Sequence, residues 1–436
     1  MFTTLRNAWK IPELRKKMLF TLLVLLIYRL GSCVPVPYVN TDLLVATFQA
    51  RFGDTVLGLY NAMSGSAFSQ ATAFALGIQP YINASIIIEL LCIAIPSLER
   101  LAKDGGEEGK KKIQKITRYT TIGLGLLMGF AYFVMLKNYS LLTQTGFLYG
   151  LVIVLTFTAG ASFLMWMGEQ IDQFGIGNGI SMILFAGIIS RIPTLITGLF
   201  SEKWYVAVLM VVGMLAIVMF IVFITNSERR IPVQYAKRVV GRKMYGGQST
   251  NLPIKVNMSG VMPIIFASSI VNIPSMLGGI FSGKFWTNVT NAFNQTHASY
   301  IIISGVLLVA FSYFYIMISF NPVEVANNIK NNGGAIPGIR PGRPTIDFIK
   351  KVLNRVTFIG AVFLCLVSTL PMAANAIYML FANTTTPNII EYTRNSLVSE
   401  LAFAGSSLLI ITGVVIETTR SLDAQMSLRN YKGFLD

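Results

Sequence analysis

The sequence predicts an all-α polytopic membrane protein of ten spans, and three observations carry that expectation. Of the 436 residues 53% are hydrophobic and only 12% are charged, a balance foreign to large soluble domains. Ten apolar runs are each long enough to cross a hydrocarbon core of about 30 Å. The formal net charge of +16 is confined almost entirely to alternate connections between those runs.

The runs cover roughly 18–38, 76–96, 118–137, 149–169, 178–199, 204–225, 259–280, 300–320, 356–381 and 398–417. An even number puts both termini on one side, and the basic residues choose the side. The 1–17 tail holds 5 Lys/Arg, the 97–118 loop 7, the 226–258 loop 7, the 321–355 loop 6 and the 418–436 tail 3, together 28 of 35. The positive-inside rule therefore places both tails and the three long basic loops in the cytoplasm. The first run follows Arg15, Lys16 and Lys17 as a signal peptide would. Its apolar stretch is too long, however, and VPVPYVN follows where a cleavage site would lie, so it is a first membrane helix.

Thr55–Ile95 is the anomaly. QPYINASIIIELLCIAI is apolar enough to span. The preceding TVLGLYNAMSGSAFSQATAFALGI is not, because Gly58, Asn61, Ser64, Gly65, Ser66, Ser69, Gln70 and Thr72 interrupt Leu57, Leu59, Met63, Phe68 and Phe74. At membrane depth such a segment must be buried in protein or line a wet cavity, since lipid leaves its backbone groups unpaired. Two readings stay open: a re-entrant stopper joined to a short span at Gly77 and Pro80, or an external amphipathic helix covering the bundle.

Site chemistry is sparse. Cys33, Cys92 and Cys365 lie in apolar runs without CxxC spacing, and His297 is the one histidine. Neither a metal cage nor a catalytic triad is indicated. The loop 97–118 mixes both charge signs around Gly105 and Gly106 and reads as a solvated face. Gly175, Gly177 and Gly179 follow no strand and precede no Lys-Ser/Thr, so they form a tight turn and not a phosphate cradle.

The loop 226–258 interleaves Arg229, Arg230, Lys237, Arg238, Arg242 and Lys243 with Tyr235 and Tyr245. That mixture suits an RNA backbone or an acidic protein surface, with anionic lipid as the competing partner. GRKMYGG is the expected tip of a hairpin. In the loop 321–355, Pro337, Gly338, Pro341, Gly342 and Pro344 stiffen the chain around Arg340 and Arg343. Guanidinium forks on a defined turn are apt for bidentate carboxylate or phosphate contacts.

Several strings resemble the bacterial SecY family, the channel subunit of the protein-export translocon. They are ALGIQPYINASIII, MWMGEQI with GIGNGIS, ERRIPVQYAKR, GRKMYGGQSTNLPIKVNMSGVMP, FNPVEVANNIKNNGGAIPGIRPG and VLNRVTFIGA, and the likeness runs to RNYKGFLD. The resemblance implies ten transmembrane helices in two inverted five-helix halves, with a re-entrant plug. The halves would be 18–199 and 204–417, flanked by the cytoplasmic tails 1–17 and 418–436.

By that resemblance the plug lies near 58–75 and includes Gly58, Leu59, Asn61, Met63, Ser64 and Phe68. The pore ring is carried over to Ile82, Ile86, Ile180, Leu184, Ile265 and Ile410, with Leu184 standing where Ile is commoner. Such a ring resists water and ions by dewetting. The lateral gate would involve Glu89, Ser269 and Asn272, and Glu89 stands where the family often has Gln. An intramembrane carboxyl is a functional candidate by default, whereas Arg29 and Glu417 lie near span ends and can snorkel.

The implied partners are SecE-type and SecG-type small membrane subunits, the SecA motor ATPase, the ribosome, signal sequences, nascent polypeptides and anionic lipid. Ribosomal contacts are expected on Arg242 and Lys243, and motor contacts at Arg340. No cofactor, metal or catalytic residue is implied, and the location would be the bacterial cytoplasmic membrane. A secondary transporter would call for several polar groups at midplane helix breaks, and an enzyme for a reactive constellation. Neither is visible. A ribosome receptor without a pore is opposed only by the re-entrant stretch.

Overall fold

A computed structural model describes residues 2–51, 56–201, 204–235, 238–240, 243–245, 249–280, 284–293, 298–382 and 397–432. Among the described residues the regular structure is helical apart from the short strands within 228–255 and at 334–335. Its helices are α1 (Phe2–Lys10), α2 (Pro12–Gly31), α3 (Thr41–Arg51), α4 (Val56–Met63), α5 (Gln79–Ala94), α6 (Pro96–Lys103), α7 (Gly106–Asn138), α8 (Phe147–Phe174), α9 (Gly179–Ile189), α10 (Ile192–Ser201) and α11 (Trp204–Asn226). After the first strands come α12 (Met262–Ile280), α13 (Lys284–Ala292), α14 (Ala298–Ser319), α15 (Pro322–Asn331), α16 (Arg343–Ala382) and α17 (Leu397–Lys432).

Among the described residues four helical stretches are long and apolar enough to cross a membrane: Gly106–Asn138, Phe147–Phe174, Ser299–Asn331 (α14 running on into α15) and Arg343–Thr369. A fifth passes as the pair Gln79–Ala94 and Pro96–Ala102, bent by 108°. Pro96, at the first position of α6, causes the bend, because proline disfavours helical backbone in the residue before it, and Ile95 is extended there.

Several expected boundaries move. The first run ends its helix at Gly31, and the Val34–Val36 stretch lies alongside the interrupted segment, with Val36 N donating to Ala71 O (2.9 Å) and Ala73 N to Val34 O (2.9 Å). The fifth run is divided at Ser190 and Arg191 into α9 and α10. The 97–118 region is not a loop. It is α6, a turn at Asp104–Gly105 and the first part of α7. Glu107 and Glu108 in the first turn of α7, followed by Lys110–Lys112 one turn on, favour helix through the macrodipole and i,i+4 pairs. The glycine turn behaves as expected. Gly177 takes φ +80°, Asn178 caps α9 by accepting from Ser181 N (3.2 Å), and Asp172 Oδ1 accepts from Gly179 N (2.7 Å).

The 226–258 loop contains β1 (Glu228–Tyr235), β2 (Arg238–Val240), β3 (Lys243–Tyr245) and β4 (Ser249–Lys255). β1 pairs antiparallel with β4, from Glu228↔Lys255 to Gln234↔Ser249, and β2 with β3. The other edge of β1 takes β5 (Gly334–Ala335), through Gln234↔Ala335 and Tyr235↔Gly334. The two long basic loops are thereby one unit, with its own core of Ile231, Val233, Ile254, Ile329, Ile349 and Leu353.

Candidate pore and its closing segment

The interrupted segment is packed inside the protein. From Leu57 to Pro80 nearly every described side chain is buried, Ser66, Gln70 and Ala73 being the more exposed ones. An external covering helix would keep one whole face exposed, so the covering reading does not describe this segment.

Its backbone finds the partners that lipid would withhold. Asn61 organises the first part: its carbonyl accepts from Ser66 N (2.9 Å) and Ser64 Oγ (3.1 Å), and its Oδ1 from Ser69 N (2.9 Å). Ser64 Oγ then accepts from Phe68 N (3.2 Å). Other elements supply the rest. Tyr28 OH donates to Ser64 O (3.2 Å) and Arg29 Nη1 to Gly65 O (3.3 Å), so Arg29 points into the segment. Tyr60 OH donates to Leu76 O and Tyr132 OH to Phe68 O. Gly65 and Gly77 take φ +67° and +55°, a left-handed backbone that glycine tolerates.

Hydroxyl-to-carbonyl bonds between membrane helices contribute about 0.6–1.7 kcal/mol each. The Tyr60→Phe, Tyr132→Phe double variant should therefore loosen this segment without disturbing the helices around it. Faster hydrogen exchange at amides 64–76, with α8 amides unchanged, is the expected result; equal protection in both would contradict it.

Five of the six ring candidates are buried and share one apolar cluster: Ile82 and Ile86 on α5, Leu184 on α9, Ile265 on α12 and Ile410 on α17. Ile180 packs against the same cluster from the start of α9, though only partly buried. Met63, Phe74 and Ile78 of the interrupted segment belong to it too. The void between Met63, Ser64, Gln79 and Leu184 is about 10 Å³, the lower limit for a single water. The segment is seated tightly against the aliphatic ring.

Of the closing-segment candidates, Gly58, Asn61, Met63, Ser64 and Phe68 are buried, and the side chain of Leu59 lies outside the described residues. Of the gate candidates, Ser269 is buried on α12 and its Oγ donates to Gln79 Oε1 across to α5 (2.9 Å). Gln79 Nε2 lies 4.0 Å from Met63 Sδ. Gln79, which the sequence did not single out, thus touches both the closing segment and the facing helix. Glu89 is half-buried further along α5 and hydrogen-bonds Ser85 one turn back. The side chain of Asn272 lies outside the described residues.

A second feature that the sequence did not single out is the ion pair joining α7 to α8. Arg118 Nε meets Glu169 Oε1 at 2.9 Å and Nη2 meets Oε2 at 2.8 Å, with the glutamate side chain 9% exposed and the arginine 47%. Removing the cation strands the buried carboxylate, whereas removing the carboxylate strands only a half-solvated cation. Arg118→Ala should cost more than Glu169→Gln, by about 1–2 kcal/mol after allowance for screening at the exposed arginine. Apparent melting temperatures in one detergent check the order, and equal losses would contradict it.

The SecY family profile matches residues 72–419. The protein translocase subunit SecY of Bacillus licheniformis is 40% identical over 451 aligned positions that span both chains completely.

The chain belongs to the SecY family.

The Bacillus subtilis SecY is likewise 40% identical over the whole of both chains. A solved protein-conducting channel superposes with a TM-score of 0.64, covering 96% of each chain at 17% identity. Sec61 in the canine ribosome–channel complex gives 0.60 at 15% identity and 96% coverage of both. At those identities the likeness shows the common fold. As a SecY family member the chain is a multi-pass membrane protein and the channel subunit of a protein translocase, not an enzyme.

Of the basic candidates of this SecY chain, Arg229, Arg230, Arg340 and Arg343 are described with their side chains. Arg229 and Arg230 are exposed on β1, Arg230 Nε meeting Glu228 Oε1 at 2.7 Å. Arg340 is exposed on the turn before α16, and Arg343 is exposed at the first position of that helix. Gly338 and Gly342 take φ +79° and +109° on either side of Arg340, and Thr345 Oγ1 donates to Arg340 O (2.9 Å), which fixes that turn. Lys237 and Arg242 lie outside the described residues, as do the side chains of Arg238 and Lys243.

Proposed function

We propose that unfolded secretory polypeptides cross the cytoplasmic membrane through the ring of Ile82, Ile86, Ile180, Leu184, Ile265 and Ile410, and that signal or membrane helices leave sideways between α5 and α12. One observation supports this most: aliphatic side chains from four helices, α5, α9, α12 and α17, converge on one cluster against which a polar, interrupted segment is seated. Ordinary helix packing has no use for such a segment.

In this reading residues near 58–75 are the plug, and ten spans form two inverted halves, 18–199 and 204–417. Both tails face the cytoplasm. The aliphatic gasket closes by dewetting and yields softly around a chain. The bond from Ser269 to Gln79 holds the gate, and Glu89 and Asn272 line it. A signal helix that contacts the open gate better than the closed one shifts the population by its differential affinity.

The sheet would present Arg229, Arg230, Lys237, Arg238, Arg242, Lys243, Arg340 and Arg343 to the ribosome or to the SecA motor. These supply the driving energy, and anionic lipid, SecE-type and SecG-type subunits complete the assembly. A Gln79→Cys, Ser269→Cys pair bridged by a short cleavable crosslinker tests the gate. Bridging should stop export of a secretory precursor, and cleavage should restore it. Undiminished export through the bridged protein would refute the gate.

A further inference from the structure

The helix α4 ends in a full Schellman motif. Ser66 N donates to Asn61 O (2.9 Å) and Gly65 N to Ala62 O (3.3 Å), with Gly65 left-handed at φ +67°. That motif does not use the next three carbonyls, of Met63, Ser64 and Gly65, which stand at the negative end of the helix. Each meets a different neighbour. Met63 O lies against α9, so near Gly187 that a Cβ there would stand 2.3 Å from it. Ser64 O accepts from the Tyr28 hydroxyl (3.2 Å) and Gly65 O from Arg29 Nη1 (3.3 Å).

Gly65 O depends on that guanidinium. The amides that could serve it from within the segment, three and four residues on, are committed elsewhere: Phe68 N to Ser64 Oγ (3.2 Å) and Ser69 N to Asn61 Oδ1 (2.9 Å). Arg29 itself is exposed, two residues before the end of α2 at Gly31. A long cation so placed ordinarily carries its head outwards to water. This one turns inwards, and among the described residues no carboxylate draws it there. What it meets is the end of a helix, where a cation is favoured. Successive helical side chains diverge by about 100°, so Tyr28 and Arg29 reach consecutive carbonyls by straddling the chain between them.

We propose that Tyr28 and Arg29 are positioning residues that clasp the end of α4 to α2, and that the Arg29 charge sets how readily the plug leaves. The inference rests on the reading of 58–75 as the plug. A buried cation would be stranded when its partner moved away. An exposed one swings outwards to water and loses little, so this clasp lets go and closes again without any chemical step. Plain packing and a charged clasp differ in one respect: the clasp weakens with the charge at position 29, whatever the volume of the side chain.

The test uses the full translocase, with its partner subunits, in nanodiscs. Arg29→Lys, Arg29→Gln and Arg29→Glu are compared with the parent by hydrogen exchange at amides 66, 68 and 69. Each unit of charge lost should speed exchange by about two- to five-fold, the ratio that one charge at a helix end carries. The lysine variant should stay near the parent and the glutamate variant should be fastest. Lys16→Glu, about 20 Å away on the same helix, should change nothing. Tyr28→Phe should add to the effect of Arg29→Gln, and these milder variants keep the order readable if Arg29→Glu fails to assemble. Planar-bilayer conducting events, recorded on the same series, should rise in the same order. Exchange that follows charge without a rise in conducting events would support the clasp and overturn the plug reading of 58–75. Equal exchange in the lysine, glutamine and glutamate variants, or an effect as large from Lys16→Glu, would overturn the clasp.

Discussion

Replacing Ile82 and Ile86 together by serine is expected to convert a silent channel into an ion leak. Both side chains are essentially inaccessible, one turn apart on α5, and they meet Leu184, Ile265 and Ile410. Truncating a buried isoleucine leaves a void that its neighbours fill only in part, at about 2–5 kcal/mol for removal down to the Cβ. Here the void lies on the proposed conduction path and two hydroxyls wet it, so the dewetted barrier fails at its narrowest point. Planar-bilayer recordings should show frequent conducting events where the parent is closed. Ile87→Ser is the control, because Ile87 is 39% exposed on the same helix, and it should stay silent. Equal behaviour of the two variants would remove the ring from the mechanism.

Gly160→Val is expected to release the closing segment from the other side. A Cβ at Gly160 would collide with the Ala73 carbonyl, which is backbone and cannot rotate aside, and it would also crowd Phe74. Overpacking of this kind costs about 1–3 kcal/mol, and the segment is the part free to move. Since about 1.4 kcal/mol is tenfold in a population, the open state should gain roughly that factor. Export of a precursor with a defective signal sequence should rise accordingly. Gly160→Ala should show a smaller rise, and Gly123→Val, whose Cβ meets nothing within 4 Å, none. A strict closed phenotype for Gly160→Val would mean that the segment does not gate.

The composition and charge pattern made the membrane class legible, and the polar interruptions at Asn61, Ser64 and Ser69 made the buried segment legible as a need for partners. The partners themselves were not. Tyr28 and Tyr132 sit in apolar runs and Tyr60 in the interrupted segment, where tyrosine reads as core or interface, and their hydroxyls acquire meaning only when the chain brings carbonyls to them. Gln79 reads as a helix-start residue until α12 places Ser269 against it. The hairpin of β1 and β4 was visible in the 226–258 loop. Its union with Gly334–Ala335 was not, because two residues carry no periodicity. The mixed charges of 97–118 read as a solvated loop, whereas the structure makes most of it helix. The ring residues are aliphatic positions like many others in the spans. Resemblance picked them out, and the structure brings them into one cluster.

The most direct measurement replaces the three native cysteines, introduces Ile82→Cys, and presents a ribosome-stalled secretory nascent chain that carries one cysteine. A disulfide that shifts along the nascent chain as the chain lengthens is the predicted result, since each register must pass the ring. With the ribosome shown to be bound, absence of crosslinks at Ile82 and at its ring partners would contradict a conduit there and leave this translocase subunit's ring as ordinary helix packing.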